Sequence, residues 1–303
     1  MSRHIVVGYT ATKQGRDAVA FAARLAQAIG AVLDVTIILP AADRSVITPP
    51  SGSYDRYLHD QAQKWIAAAI DKVPTDVVAH AQIRPAESFA EGLIEIADEL
   101  DAVCIVVGPA DSAPRGRHSL GSTTTELLHS SDVPVAVVPR GARKVAASTG
   151  ITRITVAIGT RPGADALVEA TAALAQAADV PVRLLSLLPV DLPATADTAA
   201  IRTAGSTEAE HVLAEAQAEL PDGIRIDVTV AEGDSIEDAV SHLDWEGGEI
   251  AMVGSSRLAQ PKRLFLGSTA AKMLKEITVP VIVVPRTTSE PITSSTDPEE
   301  TER

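Results

Sequence analysis

Two loops of this chain set glycines, hydroxyls and one charged residue at a common spacing. The first reads Gly108-Pro109-Ala110-Asp111, nine residues, then Gly121-Ser122-Thr123. The second reads Gly254-Ser255-Ser256-Arg257, nine residues, then Gly267-Ser268-Thr269. Glycine lets a backbone approach a ligand closely and turn with positive φ. Ser and Thr at the head of a helix leave hydroxyls and free backbone N–H groups facing the loop, which suits an anion, phosphate above all. With no ligand, the same pattern is a strand-to-helix turn with an N-cap. The two loops differ in sign. A carboxylate about 5 Å from a phosphate, at an effective dielectric near 20, costs ~3 kcal/mol, or around two decades in affinity. Asp111 therefore argues against a triphosphate in the first loop unless a divalent cation bridges the charges. Arg115, Arg117 and His118 are expected to offset it in part. Arg257, with Lys262 and Arg263 close by in sequence, offers charge-assisted contacts instead, so the second loop is the better anion site.

Those loops must be held by regular elements, and the elements come twice. Leu120-Gly121-Ser122-Thr123 recurs as Leu266-Gly267-Ser268-Thr269, and Val133-Pro134-Val135-Ala136-Val137-Val138-Pro139-Arg140 recurs as Val279-Pro280-Val281-Ile282-Val283-Val284-Pro285-Arg286. Val107-Gly108 matches Val253-Gly254 at the same offset of 146, and Gly15-x-Asp17-Ala18 matches Gly163-x-Asp165-Ala166 at 148. A duplication with small loop indels explains this pattern. Asp17 and Asp165 read as first-turn acids that complement a helix dipole.

In the first copy, apolar runs predict strands over 4–9, 32–39, 77–83, 103–107 and 134–138. Helical stripes fall over 15–29, 54–70, 87–100 and 123–129, and Gly30 follows the first as a stop. The second copy places strands at 154–158, 182–187, 225–230, 250–253 and 281–284. Alternating strands and helices give βαβ units, hence an α/β fold of two tandem doubly wound, Rossmann-like parallel-sheet domains of five strands each. We expect the first domain over 1–141, a linker over 142–152, the second domain over 153–287 and a disordered acidic tail over 288–303. Each fifth strand is a sheet edge, and edges are normally paired or covered. The two halves are therefore expected to meet there about a pseudo-two-fold axis, with a homodimer of chains as a further option.

Composition narrows the partners. The net charge is −14 and aromatics are 3% of the chain, which repels nucleic-acid backbones and anionic membranes and supplies few stacking platforms. Cys104 is the only cysteine and sits in an apolar run, so a core thiol is expected and an internal disulfide or Cys-x-x-Cys site is excluded. The opening Met1-Ser2-Arg3-His4 enters a strand without a leader pattern, and no apolar run reaches membrane-spanning length, so a cytoplasmic location is expected. The histidines (His4, His59, His80, His118, His129, His211, His242) show no metal-ligand spacing and read as surface or helix-end residues. No phosphate-binding Gly-x-x-x-x-Gly-Lys, dinucleotide Gly-x-Gly-x-x-Gly or nucleophile-elbow Gly-x-Ser-x-Gly occurs. The chain is not expected to be an enzyme; a weak nucleotide hydrolase would lack a general base.

The paired loops, the Val-Pro-Val-x-Val-Val-Pro-Arg endings and the duplication resemble the universal stress protein family, over nearly the whole chain. In its ATP-binding branch the loop reads Gly-x-x-Gly, nine residues, then Gly-Ser or Gly-Thr, and wraps triphosphate and ribose. The resemblance implies a stress-responsive regulator that binds ATP, with Mg²⁺ as an accompanying ion. Gly254, Arg257, Gly267, Ser268 and Thr269 would hold it in the second domain, and Gly108, Gly121, Ser122, Thr123 and Thr10 in the first. The family's first-strand Asp is replaced by Thr10 and Gly159, and its second loop Gly by Asp111 and Arg257. The other reading the resemblance leaves open is a protein-interaction scaffold of the same family, with unknown protein partners and no nucleotide.

Overall fold

Short apolar runs whose alternate residues face opposite sides can only be buried if helices cover both faces of their sheet. That is the arrangement in the computed structural model, which describes residues 2–41, 52–159, 165–189, 198–255, 264 and 266–285. Arg257, Lys262, Arg263 and the acidic tail lie outside the described residues.

In the first half, β1 (His4–Gly8), α1 (Lys13–Ile29), β2 (Val32–Pro40), α2 (Gly52–Ile70), β3 (Ala79–Ala86), α3 (Phe89–Glu99), β4 (Ala102–Val107), α4 (Ser122–Ser130) and β5 (Val135–Val137) follow in order. Two 3₁₀ turns, Ala142–Lys144 and Ala147–Thr149, carry the chain across. The second half repeats the order: β6 (Arg153–Ala157), α5 (Asp165–Ala178), β7 (Val182–Pro189), α6 (Thr198–Glu219), β8 (Ile226–Gly233), α7 (Ile236–Ser241), β9 (Glu249–Gly254), α8 (Ser268–Glu276) and β10 (Val281–Val284).

The halves share one ten-stranded sheet, in the order β3-β2-β1-β4-β5-β10-β9-β6-β7-β8. Neighbours are parallel except at the centre, where β10 runs antiparallel to β5 and pairs Val281 with Val137, Ile282 with Ala136 and Val283 with Val135. Outward from that seam each half reads identically, which is the pseudo-two-fold relation expected from edge pairing. One face packs α1, α2, α5 and α6 over residues such as Ile5, Val35, Val106, Ile154 and Ile282. The other packs α3, α4, α7 and α8 over Val6, Ile105, Val137, Val253 and Val281. Helix ends follow local chemistry: Thr12 Oγ1 accepts from Gly15 N at 3.1 Å to start α1, and Gly30, at φ 64°, ends it in the left-handed region.

The amino ends of the strands carry buried charge. Asp34, in register with Val6, accepts from Gln82 Nε2 at 3.2 Å and sits 2.8 Å from His4 Nδ1. Its counterpart Arg183, in register with Thr155, pairs with the fully buried Glu249 at 2.7 Å, and Arg153 reaches the other carboxylate oxygen at 2.8 Å. Ligands of open α/β sheets bind at the opposite, carboxyl ends, so these ion pairs hold strands together. His4, expected at the surface, is a half-buried member of this set.

Candidate functional site

At the carboxyl ends of β6, β7 and β9 the second half opens a cavity of about 350 Å³. Ile158 and Gly159 after β6, Ser186 on β7, Gly254 at the end of β9 and Thr269 on α8 all line it. That volume falls within the ~300–1,000 Å³ usual for small-ligand sites. The described lining carries no charged side chain; its polar groups are the hydroxyls of Ser186 and Thr269 and backbone amides. Gly267 is the N-cap of α8 and supplies no side-chain cap. By contrast, Ser235 caps α7 by accepting from Asp238 N, and Ser88 caps α3 by accepting from Glu91 N. The first-turn amides of α8 therefore keep their donor capacity, beside the exposed Ser268 and Thr269. The cavity thus brings Gly254 and Thr269 together with Gly159, and Gly267 and Ser268 adjoin Thr269 at the head of α8.

The first half builds the corresponding place differently. A side chain at Gly108 would lie 2.5 Å from the carbonyl oxygen of Gln14, so the missing Cβ lets the end of β4 pack on the start of α1. Thr10 is exposed, and its hydroxyl is 3.0 Å from that of Thr12, the N-cap of α1. The loop itself is pinned: Ala110 N donates to Ser119 O at 3.0 Å, Gly116 N to Arg140 O at 2.8 Å, and Arg140 Nη1 to Ala113 O at 2.6 Å. Asp111 and Ser122 are exposed and Thr123 is half-buried at the head of α4, whose N-cap Gly121 likewise lacks a side-chain cap.

Two expectations about charge are corrected here. Arg117 and His118 do not turn toward Asp111. Arg117 Nη1 donates to Lys275 O at 2.8 Å and pairs with Glu276 at 2.6 Å, and His118 Nε2 meets Val279 O at 2.8 Å, all in the second half. Burial pushes the His118 pKa down to about 4, against the raising effect of the Val279 bond. Asp17 is not a first-turn acid that complements the α1 dipole either. It is fully buried and accepts from Gly141 N at 2.9 Å and from Arg143 N at 3.1 Å, while Arg143 Nη1 reaches it at 2.8 Å. Spacing could not reveal these partners, which stand 124 to 161 residues away.

Cys104 is buried as expected, and burial pushes its thiol up to about 12. Among the described residues, no cluster of His, Cys, Asp and Glu is placed to hold a metal ion. No helix among them is long and apolar enough to cross a membrane.

The family model described as "Universal stress protein family" matches residues 1–139 and 150–285. Universal stress proteins of Mycobacterium bovis and Mycobacterium tuberculosis are each 28% identical over 295 residues, covering 93% of this chain and 99% of theirs. The crystal structure of a universal stress protein from Archaeoglobus fulgidus DSM 4304 superimposes with a TM-score of 0.67, covering 94% of this chain and 99% of that one. At 17% identity that likeness carries the fold alone.

Proposed function

The chain belongs to the universal stress protein family, with two such domains in tandem, and from that premise we propose that its second domain binds an adenine nucleotide, ATP with Mg²⁺, as a stress-responsive regulator. The observation that carries this reading is the cavity at the carboxyl ends of β6, β7 and β9, bordered by the head of α8. Its apolar walls suit a base and ribose. Uncapped amides with the Ser268 and Thr269 hydroxyls suit phosphate oxygens, and Arg257 adds charge of the right sign. The described lining holds no carboxylate or imidazole, and the role we propose is binding. In the first domain, Gly108, Gly121, Ser122, Thr123 and Thr10 form the lesser site, because Gln14 and Arg140 already occupy its loop.

A second reading, an interaction scaffold without nucleotide, draws on the first domain, whose loop is spent on contacts to its neighbour. Release and identification of nucleotide from the purified protein, with ATP calorimetry with and without Mg²⁺, separates the two. We expect ATP binding that weakens about tenfold or more in Arg257→Ala. No retained nucleotide and no heat would favour the scaffold.

A further inference from the structure

On the face of the sheet covered by α1 and α5, the two domains leave a cavity of about 220 Å³ across the central seam. It lies away from the proposed nucleotide site, which borders α7 and α8 on the other face. The duplication explains its origin. The offset of 148 that aligns Gly15 with Gly163 pairs Leu25 with Ala173 and Ile29 with Ala177. All four residues line the cavity. Where α1 fills its side of the seam with two branched side chains, α5 presents two alanines at those positions, and Leu174, which takes the place of Ala26, makes up only part of the difference.

The chemistry of the wall is specific. Its depth is made by Leu25, Cys104, Met252 and Ile282, all nearly inaccessible to solvent. The Cys104 thiol stays protonated and behaves as apolar surface. Toward solvent the lining ends in Val103, Ala173 and Arg3, all exposed. Arg3 is the one charged residue of the described lining. Among the described residues its guanidinium pairs no carboxylate and donates one long hydrogen bond, of 3.4 Å, to Ile29 O. An apolar body is thus matched at the mouth by a fixed positive charge. A dry apolar cavity of ~150 Å³ holds a six-carbon ring, and in proportion this one takes roughly nine carbons.

We propose that the cavity between α1 and α5 binds a medium-chain aliphatic carboxylate, its chain against Met252 and Ile282 and its head group at Arg3. The test uses the full chain with octanoate and 1-octanol as probes, read by calorimetry and by the Met252 methyl resonance. Octanoate should bind and shift that methyl. Ala173→Leu with Ala177→Ile, which gives α5 the side chains of α1, should weaken binding at least tenfold while the protein unfolds no earlier on heating. Arg3→Gln should bring octanoate down to the affinity of octanol and leave octanol unchanged. Unaltered octanoate binding in the filled variant would overturn the proposal, as would heat without any movement of Met252. Should the filled variant not fold, the Met252 shift in the parent protein and the Arg3→Gln comparison decide.

Discussion

His118 Nε2 stands 2.8 Å from the carbonyl oxygen of Val279, tying the loop of one domain to the entry of the other domain's last strand. The repeat offset of 146 places Leu264 at the equivalent position. Leu264 is buried, and its backbone N–H donates to Ser131 O at 2.8 Å. The loops therefore exchange anchors across the pseudo-two-fold, one polar and one apolar. The ring of His118 is neutral here, with Nδ1 sealed from solvent and without a partner among the described residues, so a proton added there meets no acceptor among them.

That asymmetry predicts an acid limit. The folded pKa of His118, about 4, lies below its ordinary 6.5. Between those values the unfolded chain binds the extra proton, so stability is full above about pH 6.5 and falls as pH drops toward 4. The loss amounts to roughly 3 kcal/mol across the window. Urea titrations from pH 7.5 to 4 should show this slope, and His118→Leu, which copies Leu264, should flatten it. A slope unchanged in His118→Leu would show that other groups set the acid limit.

Asp17 makes a second, local prediction. Its carboxylate satisfies two backbone N–H groups of the connecting segment and the Arg143 side chain. Asp17→Ala leaves those donors facing a buried gap, at about 2–4 kcal/mol. The urea midpoint should drop accordingly, and limited proteolysis should begin near Gly141. Cleavage at an unchanged rate would mean that the 3₁₀ turns hold the segment without it.

Much of this architecture was legible because local signals agreed. The apolar runs placed all ten strands, Gly30 marked the end of α1, and two unpaired fifth strands implied the central seam. The site was legible to the extent that it rests on contiguous residues: Gly267-Ser268-Thr269 heads a helix beside a cavity because a loop glycine before Ser-Thr is itself a helix-start signal. What spacing could not supply was long-range pairing. Asp17 looks like any early-helix acid until Gly141 is folded against it, and Arg117 and His118 look like loop cations until the end of α8 and the entry to β10 arrive. Leu25 against Ala173 was visible in the aligned repeats, yet it means a cavity only once α1 and α5 are side by side.

The buried Glu249 predicts a large single-site effect and a small double one. Alone, Glu249→Ala strands Arg183 and Arg153 beside an uncharged gap, which should lower stability by about 3–5 kcal/mol. Replacing both partners, Glu249→Leu with Arg183→Met, should recover most of that loss, since paired apolar groups avoid the desolvation penalty. Chemical denaturation of the two variants measures the difference directly. A double variant no better than the single would locate the penalty in Arg153, which loses the same carboxylate, and in Thr155 and Glu246, whose Oγ1 and backbone N–H also donate to it.

Gly159 tests the proposed nucleotide site by gain and not by loss. It lines the cavity, and a Cβ built there meets nothing within 4 Å among the described residues. An aspartate is therefore accommodated where the resemblance to the ATP-binding branch expects one, to accept hydrogen bonds from the adenosine. Such a charge-assisted bond is worth about 1.5–3 kcal/mol, so Gly159→Asp should tighten ATP binding by roughly ten- to a hundredfold. Thr10→Asp, the matching change in the first domain, should do nothing, because the end of β4 there is packed on Gln14. Calorimetry of the two variants side by side reads both statements. Equal gains would make the domains equivalent sites, and a gain confined to Thr10→Asp would move the nucleotide to the first domain.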